Sequence, residues 1–347
     1  MNVHPKFKFQ GEQVNKDKLL HQVYKLDEAS FSFLNEWFNK NDFIIVKTSG
    51  STGTPKEITL KKEQMMASAL ATGTYFNCLE GTKALICLSA DFIAGKMMWV
   101  RALTLGWDVY LSPATGNPLE NTEMEFDFSA MVPLQLTQSL QQLYRVKKLI
   151  VGGAAVSVSL QEKLQDLPTH VFATYGMTET ITHIAVKRLN HTHGKFSYFE
   201  ALPNVELSLD ERDCLVIKAP EISKAVIVTN DVVKLHSENT FEWIGRYDSI
   251  INSGGFKLVP EAIERKLQPV ISQRFFISSL PDEKLGQRAV LLIESSEETE
   301  LLEKIKNSTN LNKFEIPKEV YFISKFTETA SSKIDKHATL ELIKRTC

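Results

Sequence analysis

The chain has 347 residues, 43% of them hydrophobic, and a formal net charge of −2. That supports a large core and two domains, and it leaves no overall basic field with which to hold nucleic acid. No apolar run approaches the ~20 residues of a membrane span, Met1 to Lys6 lacks the apolar core of a signal peptide, and Cys78, Cys87, Cys214 and Cys347 have neither metal nor disulfide spacing, so a reduced, cytoplasmic setting is expected.

In chain order, the apolar run 43–47 reads as a strand that feeds Thr48, Ser49, Gly50, Ser51, Thr52, Gly53, Thr54, Pro55 and Lys56. Glycines let a backbone turn tightly and present its N–H groups, the hydroxyls add donors, and Lys56 adds a compact charge. Such a set suits polyphosphate oxygens. The spacing is not Walker A, because no Gly-Lys-Ser/Thr triplet closes it; a flexible Ser/Thr/Gly linker is the alternative. Strands follow at 83–88, 107–111, 147–151 and 170–173, and helical patterns at 95–105, 132–144 and 157–166. This alternation predicts an α/β fold of stacked βαβ units, with ligand loops at strand carboxyl ends: 48–56, 152–154 and 174–180.

After residue 185 the pattern changes. Short alternating strands at 205–209, 214–218, 225–229 and 232–235 predict a small β-rich subdomain. An α+β unit then follows, with helices at 260–267, 297–306 and 335–344 and strands at 274–279, 289–294 and 319–323. Pro260 suits a first helical turn, where its missing N–H costs nothing. The expected division is a domain of 1–247 and a domain of 248–347.

Four motifs occur in a fixed order: the 48–56 loop; Tyr175-Gly176-Met177-Thr178-Glu179-Thr180; Gly245-Arg246-Tyr247-Asp248 running through Gly254-Gly255-Phe256-Lys257 to Pro260, Glu261 and Glu264; and Ser331-Ser332-Lys333-Ile334-Asp335. Together they resemble the acyl-adenylate-forming (AMP-binding) enzymes: acyl-CoA synthetases, adenylation domains and luciferases. The resemblance covers most of the chain. It implies a large N-terminal domain with a small mobile C-terminal domain, and activation of a carboxylic acid by ATP and Mg²⁺ before transfer to CoA. Only 47 residues precede the phosphate loop, where family members carry a longer region, so an N-terminally shortened fold is expected. Apolar surface bared by that shortening would favour a homodimer.

Residue by residue, the resemblance implies that Thr48, Ser49, Ser51, Thr52 and Lys56, on a loop shaped by Gly50 and Gly53, hold the leaving pyrophosphate. Thr178 would touch the α-phosphate, Glu179 would bind Mg²⁺, and Tyr175, beside Gly176, would stack near the adenine. Outside this context Thr178-Glu179 reads as a helix cap with an acidic first-turn residue. Asp231 would hold the ribose hydroxyls, with Asn230 standing where the family has glycine. Arg246 would make a second ribose and phosphate contact. Lys333, preceded by Ser332 where many relatives have glycine, would be the catalytic lysine bridging carboxylate and phosphate. Asp248 would be the hinge, and Gly254 and Gly255 would line the pantetheine path.

For the acyl pocket, the resemblance implies Gly152, Gly153 and Ala154 around the adenine and acyl cavity, Thr182 and His183 facing the acyl group, and Phe92 as an aromatic wall where many relatives have histidine. Lys96 and Arg101 read as solvated charges, with contact to a second substrate carboxylate as the alternative. Among the branches of the family, the chain looks most like the compact 2-succinylbenzoate–CoA ligases of menaquinone synthesis. Two rivals remain: a stand-alone adenylation enzyme that loads an aryl or amino acid onto a carrier protein, and a non-catalytic nucleotide-binding descendant.

Overall fold

The computed structural model describes residues 1–47, 57–192, 197–295, 303, 305, 311–328 and 334–344. Its centre is a 13-stranded mixed sheet. Five neighbouring strands run parallel: Asp108–Leu111, Lys83–Ile86, Phe126–Met131, Val146–Val151 and His170–Gly176. Their residues alternate between two buried layers. Ala84, Ile86, Phe128, Ala130, Ile150 and Phe172 join one core; Leu85, Cys87, Met131, Leu149, Val151 and Val171 join the other. Burial on both faces explains why these strands read as continuous apolar runs.

Helices Glu28–Phe38, Lys62–Phe76 and Ile93–Leu105 supply side chains to the first core, and Pro133–Gln138 and Val158–Leu164 to the second. Asp27 caps the first of these helices by accepting the Ser30 N–H at 2.8 Å, which satisfies an orphan donor of the first turn. At the other end Lys62, fully buried, donates to the Glu36 carbonyl and to Asn39 Oδ1, each at 2.9 Å. Its charge thus meets the negative end of the helix. Gly73 lets the helix Lys62–Phe76 approach Leu105 closely: a Cβ there would lie 2.8 Å from a Leu105 methyl.

Three expectations are corrected. The strand Phe43–Lys47 is not part of the parallel sheet; it pairs residue for residue with Glu57–Lys61 in a separate antiparallel ladder. The β-rich segment is continuous with the main sheet, because Phe199–Ala201 pairs with both His183–Arg188 and Thr240–Arg246 and joins those strands to it. Within it 225–229 and 232–235 merge into one strand, Ile227–Leu235, whose register shifts between Val232 and Val233. The helical pattern 132–144 breaks at Ser139 into Pro133–Gln138 and a 3₁₀ turn Leu140–Arg145. The strand Phe126–Met131 has no counterpart in the expected elements.

Beyond the 3₁₀ turn Tyr247–Ser249 lies a five-stranded sheet with its own apolar clusters. The helix Pro260–Leu267 begins at the proline as expected. Arg265 of that helix donates to the carbonyls of Trp243 and Ile244 at 3.0 and 3.1 Å, tying it to the end of the main sheet. Most of the expected helix 297–306 falls outside the described residues. Among the described residues no helix is long and apolar enough to cross a membrane.

Candidate active site

The strand His170–Gly176 organises the site, because successive side chains leave a strand on opposite faces. Thr174 and Gly176 face a cavity of about 270 Å³ at the carboxyl ends of the parallel strands. Tyr175, between them, packs on Phe199 and Phe241 with ring centroids at 5.8 and 5.1 Å. Its hydroxyl donates to Asp231 Oδ2 at 2.7 Å. The Tyr175 phenol is therefore held well above its ordinary range, by burial first and the Asp231 charge second, and it stays protonated.

Asp231 is 6% exposed. Its second oxygen accepts the Trp243 indole N–H at 3.0 Å, and Arg246 Nη1 lies 3.8 Å away. Ionised, a carboxylate offers about four lone-pair positions, so capacity remains for a diol. Arg246 also clasps Asp248 with two parallel bonds, Nε to Oδ1 at 3.0 Å and Nη2 to Oδ2 at 3.1 Å. This pairing raises the Arg246 pKa and lowers that of Asp248. The structure therefore brings together four residues that the sequence names separately, Tyr175, Asp231, Arg246 and Asp248, and adds Trp243.

Directly after the strand, Thr178–Thr180 forms a 3₁₀ turn. Thr180 is buried; its hydroxyl accepts the Met177 N–H at 2.9 Å and lies 2.7 Å from the Thr182 carbonyl. Next to it Ile181 has φ +67° although it is β-branched and buried, a conformation that costs on the order of 1–3 kcal/mol and persists only where surroundings dictate it. Gly176 makes the close return feasible, since a Cβ there would meet the Thr182 carbonyl at 2.3 Å. Glu179 projects from this turn, exposed, with no ion pair or hydrogen bond among the described residues. The described residues hold no cluster of three His, Cys, Asp or Glu side chains suited to a metal. A lone free carboxylate fits Mg²⁺, which takes one or two protein carboxylates and completes its shell with phosphates and water.

The cavity lining includes Leu88, Ile93, Val132, Ile150, Gly152 and Gly153. Gly153 needs its φ of +85°, and a Cβ on Gly152 would meet Thr174 Oγ1 at 2.6 Å. Ala154 is exposed and does not line the cavity. Neither does Phe92, whose side chain is 61% exposed at the N-terminus of the helix Ile93–Leu105; its neighbours Ile93 and Ala94 form that wall instead. His183 and Thr182 do line it.

Arg101 corrects the sequence expectation most sharply. It is not a solvated charge: it is 1% exposed and lines the cavity. No carboxylate pairs with it among the described residues, and burial pulls its pKa down to about 9. Lys96 is half-buried, donating to the Ala90 carbonyl at 2.6 Å and lying over the Phe33 ring. Gly254 and Gly255, both at positive φ, form the two-residue turn between Ile251–Ser253 and Phe256–Leu258, the conformation that a tight hairpin demands. The 48–56 loop and Lys333 lie outside the described residues; Lys47 and Glu57, paired across their ladder, bracket the loop.

Comparisons with known proteins show the family. A family model described as AMP-binding enzyme matches residues 8–216. The 2-succinylbenzoate–CoA ligases of Listeria monocytogenes and Escherichia coli are 25% and 24% identical, over 95% and 86% of this chain and 76% and 68% of theirs. A crystal structure of an acyl-CoA synthetase (AMP-forming)/AMP-acid ligase II-like protein from Dyadobacter fermentans is 38% identical, with a TM-score of 0.61, and the match covers 91% of this chain and 93% of that one. The o-succinylbenzoate CoA synthetase of Bacillus subtilis, solved with ATP and magnesium ion, shares the fold at a TM-score of 0.75 and 18% identity, covering 94% of this chain and 82% of its own. With the family model spanning more than half the sequence and the strand, turn and carboxylate network in place, the chain belongs to the AMP-binding enzyme family.

Proposed function

We propose that this enzyme joins a carboxylic acid to the α-phosphate of ATP and passes the acyl group to CoA, and that the acid is a diacid, 2-succinylbenzoate. Arg101 is the observation that carries the substrate class. A guanidinium buried without an acidic partner is costly. A substrate carboxylate entering the cavity supplies the missing charge. The similarity to 2-succinylbenzoate–CoA ligases supports the particular diacid and the CoA acceptor.

In this reading the ring carboxylate meets Arg101 and the succinyl carboxylate reacts. One of its oxygens bonds to the α-phosphorus as the bond to the bridging oxygen breaks, and pyrophosphate leaves. The CoA thiol then loses its proton as sulfur bonds to the acyl carbon and AMP departs. Asp231 holds the ribose hydroxyls beside Tyr175 and Trp243. Thr178 contacts the α-phosphate. Glu179 holds Mg²⁺, which supplies neutralising charge at the phosphates. The 48–56 loop retains pyrophosphate, and Lys333 bridges the carboxylate and phosphate oxygens. Positioning and charge stabilisation carry the rate in such a reaction. For the second step we assign residues 248–347 to a rotating unit, with Asp248 at the hinge and the Gly254–Gly255 turn beside pantetheine.

The test is pyrophosphate release with 2-succinylbenzoate and with 3-benzoylpropionate, which lacks the ring carboxylate. A site built around a buried charge should prefer the diacid by about 10²-fold in kcat/KM, and Arg101→Met should erase that preference. Equal use of both acids by the parent enzyme would refute the diacid assignment.

A further inference from the structure

Arg101 touches four neutral groups. Nε points to Thr72 Oγ1 at 3.4 Å, Nη1 to Met98 Sδ at 3.7 Å, and Nη2 to Thr182 Oγ1 and His183 Nδ1, each at 3.4 Å. All are long for hydrogen bonds. The fork is oriented but not saturated, and something has to orient it.

A threonine hydroxyl has one proton to donate and two lone pairs. Thr72, buried on the helix Lys62–Phe76, donates its proton to the Ser68 carbonyl at 3.0 Å. Toward its other neighbours it only accepts: Arg101 Nε on one side and His183 Nε2, at 3.4 Å, on the other. A hydrogen bond at this contact therefore needs a hydrogen on His183 Nε2. Burial and the neighbouring Arg101 charge hold the imidazole neutral, which leaves Nδ1 with its lone pair, aimed at Arg101 Nη2. Thr182 Oγ1 stands 3.5 Å from the same nitrogen.

We propose that Thr72 and His183 are the positioning residues of the acid site: Thr72 fixes His183 as the Nε2–H tautomer, and the Nδ1 lone pair so exposed aims the Arg101 guanidinium into the cavity. Neither side chain need touch substrate for this. The two residues reach the site from different elements, the helix Lys62–Phe76 and the strand His183–Arg188, so the specificity of the cavity depends on how that helix packs against the sheet. The other tautomer would turn an N–H toward the guanidinium and leave the Thr72 lone pair facing a bare nitrogen, displacing the fork. The inference rests on the reading of Arg101 as the anchor of a second carboxylate.

Two measurements on the full chain test it. The first is long-range ¹H–¹⁵N NMR of the His183 ring, which distinguishes the tautomers directly. A protonated Nε2 and bare Nδ1 are expected in the parent, and a changed tautomer balance in Thr72→Val; a protonated Nδ1 in the parent would overturn the proposal without reference to activity. The second is the ratio of kcat/KM for 2-succinylbenzoate to that for 3-benzoylpropionate. His183→Leu and Thr72→Val should each lower this ratio by about tenfold, the scale of one lost hydrogen bond to a charged group. His183→Asn, which keeps an acceptor at the Nδ1 position, should restore most of it. If Arg101→Met collapses the ratio and neither His183→Leu nor Thr72→Val does, the positioning roles fail while the anchor stands. If Arg101→Met leaves the ratio intact, the anchor itself fails. Should His183→Leu not fold, Thr72→Val, which keeps the shape of the side chain, carries the decision.

Discussion

Tyr175 and Asp231 lie 56 positions apart and share a proton bridge of 2.7 Å, which links the end of the last parallel strand to the antiparallel strand Ile227–Leu235. Tyr175→Phe should destabilise the protein by about 1 kcal/mol, the net worth of one such hydrogen bond, while keeping the aromatic packing on Phe199 and Phe241. Asp231→Ala should cost more, about 2–4 kcal/mol, because the Tyr175 and Trp243 donors lose their acceptor. It should also weaken ATP binding in proportion to the lost ribose contact. Denaturant melts and nucleotide titrations separate the two effects.

Glu179→Gln should barely move the melting temperature, since the exposed carboxylate has no partner among the described residues. It should raise the Mg²⁺ concentration needed for half-maximal pyrophosphate release by about tenfold or more. An unchanged Mg²⁺ dependence would remove Glu179 from the metal site.

Gly152→Ala should obstruct the acid cavity, because the new methyl would press on Thr174 Oγ1. A rise in KM for the acid, with KM for ATP little changed, is expected. Thr174→Ala should relieve the clash, so the double variant should recover much of the loss. Failure of that rescue would place the strain elsewhere.

The Arg246–Asp248 clasp depresses the Asp248 pKa. The stabilisation it gives is therefore complete above the ordinary aspartate value near pH 4 and disappears as pH falls through the lower, folded-state value. Asp248 is 56% exposed, so the contribution to stability is small. At the proposed hinge the consequence is kinetic: Asp248→Pro should spare adenylate formation and slow thioester formation. Equal damage to both steps, measured by pyrophosphate release and by thioester yield, would argue against rotation at this residue.

The legible parts of the sequence were the local ones. The helix Pro260–Leu267 and the strands Cys214–Lys218 and Glu319–Ile323 stand where pattern and proline placed them. Tyr175 and Asp231 could be named from their motifs, but no local pattern states that they meet, since their contact depends on sheet order. Arg101 was misread for a physical reason. The helix Ile93–Leu105 is buried nearly all round, at Met97, Met98, Trp99, Val100, Ala102 and Leu103, so it has no polar face on which a charge could be solvated. A lone arginine inside such an unbroken apolar run was the available signal. Thr72 gave no signal, because its role follows from packing between two elements. The single sheet likewise follows from Phe199–Ala201, three residues too short to read as a strand of consequence.

The most direct measurement of the central claim is mass analysis of the products formed from ATP, Mg²⁺, CoA and 2-succinylbenzoate. A 2-succinylbenzoyl-CoA thioester is expected, dependent on ATP and reduced about 10²-fold or more in Lys333→Ala. Absence of both adenylate and thioester, in protein that is folded and binds ATP, would contradict the account.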